Sequence, residues 1–144
     1  MVTERIFDAP RELVFKTIAD PKLVPKWWGP KILRTTVEKD EVKPGGSWRY
    51  VQKDPKGQEF GFHGVYLEVA PPSKISRTFN FEGIPAGHEL IETVNLEDLG
   101  DGTTKATSVA KYQNIQDLEG MVNSGMESGA VESWERLAEI VEKL

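Results

Sequence analysis

The sequence contains no cysteine, which removes disulfides, thiolate zinc sites and a thiol nucleophile from the chemistry open to it. Histidine is nearly as scarce: His63 and His88 are the only two. They fall on different strands among scattered carboxylates, without the short spacing of metal ligands, so no metal is expected. No Ser stands in a G-x-S-x-G elbow, so a hydrolase triad has no support. The pair Gly45-Gly46 and the glycines of GFHG lack the strand before and helix after that a phosphate loop needs. They read as turn and close-packing glycines, and no cofactor is expected. Nowhere do about eighteen apolar residues run together, and MVTERIF mixes acid and base at once, so neither a membrane span nor a signal peptide is expected. An excess of basic charge is also missing. Eighteen Lys and Arg against 23 Asp and Glu give −5, with the basic residues scattered, which argues against nucleic acid or an anionic membrane as partner. A soluble, cytoplasmic protein is expected.

What is present is enough for one domain over residues 1–144, with a sizeable core. Its last stretch carries Met126, Ala130, Val131, Trp134, Leu137, Ala138, Val141 and Leu144 at three- and four-residue steps, a one-faced helix of about five turns. Ser124 stands at the N-cap position with Glu127 three residues on, and Lys143 lies near the negative end of the helix dipole. Such a stripe needs a large apolar surface to lie on. The preceding residues read as strands, so that surface is expected to be a sheet.

Val2 to Phe7 alternates as a first strand and stops at Asp8-Ala9-Pro10. Pro10 suits a first helical turn, followed by the stripe Leu13, Val14, Thr17 and Ile18. A second short helix lies within PKLVPKWWGP. Its adjacent Trp27 and Trp28 each carry on the order of 150–250 Å² of buriable surface, so at least one caps a core or a pocket. From Ile32 to Tyr112 the punctuation is turn chemistry, at KPGG, DPKG, PPS, GIPA and LGDG, as in an antiparallel meander.

Two hairpins permit a register. A four-residue loop Asp54–Gly57 pairs Lys53 with Gln58, placing Trp48 opposite His63 and Tyr50 opposite Gly61. Trp48, Tyr50, His63, Val65, Leu67 and Val69 then share the apolar face, while Val51, Phe60, Phe62 and Tyr66 form an outward patch open to a homodimer contact. A loop Gly83–Ala86 sets Phe81 against His88, Phe79 against Leu90, Arg77 against Glu92 and Ile75 against Val94.

The order β-α-α-β6-α, with DAPRELVFKTIADPKLVPKWWGP, PGGSWRY, GFHGVYLEVAPPSKISRTFNFEG, GHELIETV and SGMESGAVESWERLAEIVEKL, resembles the helix-grip proteins of the START-related SRPBCC superfamily. Within it the chain is similar to the branch of the carboxy-terminal domain of the activator of the ninety-kilodalton heat-shock chaperone ATPase. The resemblance implies an α+β fold, with a bent antiparallel sheet around a long C-terminal helix and a cavity between them that takes apolar or aromatic small molecules in relatives. It implies no single activity, since lipid carriers, hormone binders, cyclases and chaperone activators share the fold. A chaperone partner in a stress response is implied as an alternative, although 144 residues leave no room for the activator's amino-terminal domain.

The main expectation is therefore non-catalytic binding of a small hydrophobic or aromatic ligand. Trp48, Tyr50, Phe79, Phe81 and Trp134 would give the cavity its shape, Trp27 and Trp28 its lid, and His63, His88, Arg77 and Glu92 its polarity. Filling of the core by the same rings is the plain alternative. Either histidine could serve as general acid or base, which keeps a cyclase- or hydrolase-type enzyme as a further alternative. Arg77 with Glu92 could hold a ligand carboxylate or phenolate through the guanidinium fork, but a rim salt bridge worth about 0–1 kcal/mol is the preferred reading.

Overall fold

The computed structural model describes residues 2–82, 88–114, 116–117 and 126–143, the side chains of 126–130 excepted. The chain runs β1 (Val2–Phe7), α1 (Arg11–Ala19), α2 (Val24–Trp27), β2 (Arg34–Asp40), β3 (Ser47–Lys53), β4 (Glu59–Ala70), β5 (Lys74–Phe81), β6 (Leu90–Asp98), β7 (Thr104–Lys111) and α3 (Met126–Val141). All strands join one bent antiparallel sheet in the order β1-β7-β6-β5-β4-β3-β2. The meander β2–β7 is what the regularly spaced turns demand. β1 then pairs with β7, Val2 facing Val109 and Phe7 facing Thr104, so the two helices between β1 and β2 must cross one face of the sheet.

Local chemistry sets these elements. The Pro10 carbonyl accepts from Leu13 and Val14 at 3.0 and 3.1 Å to open α1, and α1 buries Val14, Phe15 and Thr17. Only Val24–Trp27 of the second predicted helix is helical. On α3, Trp134, Leu137, Ala138 and Val141 are buried with Phe7, Leu96 and Ala106, as the stripe requires. Val131 departs from the expectation and stands 46% exposed. The Ser124 cap, the Glu127 capping-box contact and the Gly83–Ala86 loop lie outside the described residues, as do the side chains of Met126 and Ala130.

The β5/β6 register is the expected one: Phe79 faces Leu90, Arg77 faces Glu92 and Ile75 faces Val94. The expected pair Phe81/His88 lies beyond the last bridge of that ladder. The β3/β4 register is one residue off. Lys53 pairs with Glu59, Trp48 with Gly64 and Tyr50 with Phe62. The loop has five residues, because the Asp54 carboxylate accepts from the backbone of both Lys56 and Gln58 at 2.9 Å and so draws Gln58 into the turn. A one-residue slip exchanges the faces of a strand. Phe62 and Tyr66 are consequently buried, whereas Val65 and Leu67 are exposed. The outward patch that suggested a homodimer is therefore not formed.

Gly64 now lies in the core. A Cβ there would overlap the Thr78 carbonyl oxygen and crowd Trp48 Nε1, whose N–H donates to that same carbonyl at 3.2 Å. β2 carries a bulge between Val37 and Lys39, after which Asp40 pairs with Trp48. The extra residue reverses which side chains face inward, and Asp40 shares the concave face with Trp48. A second bulge follows Tyr66 in β4.

Candidate functional site

Between the concave face, α2 and α3 lies a cavity of about 430 Å³, within the range of small-molecule sites. Its apolar wall includes Trp27, Trp28, Phe62, Phe79, Val94 and Trp134, and Tyr50, Tyr66, Arg77 and Glu92 supply a polar strip.

The rings are held mostly by one another. Trp28 meets Tyr50 and Phe62 edge-on, with centroids at 4.9 and 5.3 Å, and Phe79 stacks obliquely on Trp48 at 5.2 Å. Trp134 does not fill the space against Trp48 and Phe79. It packs edge-on against Phe7 at 5.7 Å and leaves the hollow beside it.

The polar strip is a continuous chain of hydrogen bonds. The Tyr66 hydroxyl donates to Asp40, the Tyr50 hydroxyl donates to the other Asp40 oxygen at 2.9 Å, and Arg77 Nη1 donates to the Tyr50 oxygen at 3.2 Å. Arg77 Nε donates to Glu92 Oε1, also at 3.2 Å, and the guanidinium lies 4.1 Å from the centroid of the Trp48 ring, a cation–π contact. Burial pushes the Tyr50 phenol up to about 12, with Arg77 opposing the rise and Asp40 adding to it. The Tyr66 phenol is raised too, again first by burial. Burial works against the Arg77 charge, but Tyr50 and Glu92 outweigh it, and the guanidinium is held more firmly protonated than usual.

The preferred rim reading of Arg77 and Glu92 is thus corrected. The Arg77 side chain is 9% exposed, and the pair belongs to the cavity wall because both residues sit mid-strand on the concave face. Of the other residues expected at the site, Trp27, Trp28, Tyr50, Phe79 and Trp134 line the cavity. Trp48 lies beneath Arg77, 1% exposed, and acts as its support. Phe81 packs on Phe62 and Phe79 at 5.6 and 5.1 Å outside the lining. Both histidines are elsewhere. The register slip turns His63 outward, where Nδ1 lies 2.9 Å from Glu82, and the Glu82 carboxyl is held below its ordinary range first by Arg49 and against slight burial, then by His63. His88 is exposed and lies 2.7 Å from an Asp117 oxygen. Neither is placed for acid–base work in the cavity. Among the described residues no three His, Asp or Glu are grouped to hold a metal, and no helix is long and apolar enough to cross a membrane.

Several residues were not expected here. Phe62 and Tyr66 were hidden by the register slip, and Asp40 by the bulge, which leaves no mark in composition. The third group is the set of polar neighbours of Trp134. The Gly29 N–H donates to Ser133 Oγ at 2.7 Å, the Lys31 N–H donates to the Glu132 carboxylate, and Arg136 Nη1 donates to the Gly29 carbonyl at 2.8 Å. These contacts clamp the turn after Trp28 onto α3. Gly29 has a φ of +81°, and any Cβ would collide with the buried Gln52 amide, so only glycine serves there. A signal was available: Glu, Ser and Arg around one tryptophan of an amphipathic stripe leave a polar notch at the edge of the buried face.

The model of one family matches residues 8–142, and its description is activator of Hsp90 ATPase homolog 1-like protein. The chain belongs to this family. The fold recurs in solved structures. A protein of Arthrobacter aurescens has a TM-score of 0.90 at 24% identity, with 99% of this chain and 86% of that one covered. CV1439 of Chromobacterium violaceum has 0.85 at 24%, covering 99% and 96%. The AHSA1 protein of Silicibacter pomeroyi has 0.79 at 22%, covering 96% and 94%. At these identities the likeness shows the helix-grip fold. No curated protein matches the sequence.

Proposed function

We propose that this member of the family binds a small aromatic or hydrophobic molecule in the cavity between the sheet and α3, without transforming it. The observation that supports the reading is the hollow of about 430 Å³ left beside Trp134, walled by rings and crossed by one hydrogen-bonded polar strip. A site that is mostly apolar with a few placed polar groups is the form small-molecule sites take. The histidines expected to act as acid or base lie outside it, which removes the residues on which a cyclase or hydrolase reading depended.

Thermal-shift screening of lipids, polyketides and aromatics, followed by calorimetry at several temperatures, tests the proposal. Stabilisation by at least one class, with a negative heat-capacity change of binding, is expected. Failure of every class to stabilise the protein overturns it. The family description supports a second reading, docking on the chaperone ATPase that it names. Co-purification of the two proteins with a raised ATPase rate would favour that reading.

A further inference from the structure

The polar strip also bears on what kind of polar group a guest carries, an inference that rests on the cavity-binding reading above. Among the described residues, Arg77 is the only Lys or Arg in the lining, and its Nε is already given to Glu92. Asp40 adds a second carboxylate behind Tyr50 and Tyr66, accepting from both hydroxyls. Asp40, Arg77 and Glu92 together carry two negative charges and one positive, a net −1, before any guest arrives. Two hydrogen-bonding atoms of the strip stay uncommitted. Among the described residues, Arg77 Nη2 makes no hydrogen bond and is not sealed from solvent. Glu92 Oε2 likewise accepts none.

We propose that the cavity takes a neutral aromatic guest bearing both a hydrogen-bond acceptor and a donor, such as an amide or an alcohol, and discriminates against the corresponding carboxylate. The acceptor of such a guest takes the free N–H of Arg77 Nη2, and its donor goes to Glu92 Oε2, so the Arg77–Glu92 bond survives. A carboxylate has no donor to offer Glu92. It must either displace Glu92 from Arg77, stranding a carboxylate that is only 28% exposed, or lie beside it as a like charge.

Isothermal titration of naphthamide, naphthylmethanol and naphthoate into the wild type, Glu92→Gln and Asp40→Asn tests the inference. The amide and the alcohol are expected to bind the wild type at least about tenfold more tightly than naphthoate, as for a buried charge left unmatched. Glu92→Gln is expected to close most of that gap by improving naphthoate. Equal or tighter binding of naphthoate to the wild type overturns the proposal, as does a gap that Glu92→Gln leaves unchanged. If circular dichroism shows Glu92→Gln unfolded, Asp40→Asn decides: a narrowed gap supports the proposal and an unchanged one overturns it. Absence of binding by all three compounds overturns this proposal, and the cavity reading falls with it only if every class in the thermal-shift screen also fails.

Discussion

At the scale of single residues, small groups decide where large ones sit. Gly64 lies where the Thr78 carbonyl and the Trp48 indole meet, and the obstruction is backbone that cannot move aside. Gly64→Ala is expected to cost about 1–3 kcal/mol, the range for forcing volume into a packed core. At Gly61 an added Cβ meets the Glu82 carboxylate and Arg49, the flexible ends of side chains, so Gly61→Ala should cost clearly less. Urea denaturation of the two variants measures the difference. The tyrosines set a pH dependence. Tyr50 is neutral in the fold up to about 12 against an ordinary value of 10.0, and Tyr66 shifts the same way. Above the ordinary value the unfolded chain has released these protons and the folded chain has not. Stability is therefore complete below about pH 10 and falls as pH rises through about 10 to 12. Denaturation midpoints against pH should show this loss, and Tyr50→Phe should make it shallower. None of this was legible from residue types: tyrosine and glycine were visible, but not that Gly64 faces Trp48 or that Tyr50 meets Asp40.

At the scale of elements, legibility followed how completely local chemistry determined each one. The β1 boundaries and the stripe of α3 could be read because alternation and three-to-four-residue spacing have no competing interpretation. The β5/β6 register follows from reading Gly83–Ala86 as a four-residue loop, which sets Arg77 against Glu92 and Ile75 against Val94 as the strands do. The β3/β4 register could not be read from its loop. Asp-Pro-Lys-Gly looks like a complete four-residue turn, and only the reach of the Asp54 carboxylate to Gln58 lengthens it. Of the lining, the sequence points to the rings Trp27, Trp28, Tyr50, Phe79 and Trp134 and to Arg77 and Glu92, but not to Phe62, Tyr66 or the aliphatic wall. The junction of α2 with α3 was not foreseen at all. Arg136 stands at the C-terminal end of α2, where carbonyls lack helical partners. Arg136→Ala should cost about 1.5–3 kcal/mol, the worth of hydrogen bonds to a charged group. Amide exchange at Gly29 and Lys31 should quicken at the same time. An equal loss of protection throughout the sheet would count against a local clamp.

At the scale of the whole molecule, the first strand completes the sheet that the last strand begins, with Val2 beside Val109. Contacts so far apart in sequence make folding slow, because the chain must close a long loop before the pairing contributes. Stopped-flow refolding monitored by tryptophan fluorescence is expected on the millisecond-to-second scale. Completion within microseconds would contradict this topology.

The bulge in β2 has a consequence for the hollow's electrical sign. It is the single surplus residue at Glu38 that brings Asp40, and not Lys39, to the inward side beside Trp48. Deleting Glu38 would restore simple alternation and leave Asp40 opposite Trp48, whereas straightening the strand with Glu38 kept would set Lys39 there, an ammonium in the place of a carboxylate. The charge beside Trp48 is thus set by where the strand absorbs its surplus residue: the same residues in the same order, hydrogen-bonded without the bulge, would give a wall of opposite sign.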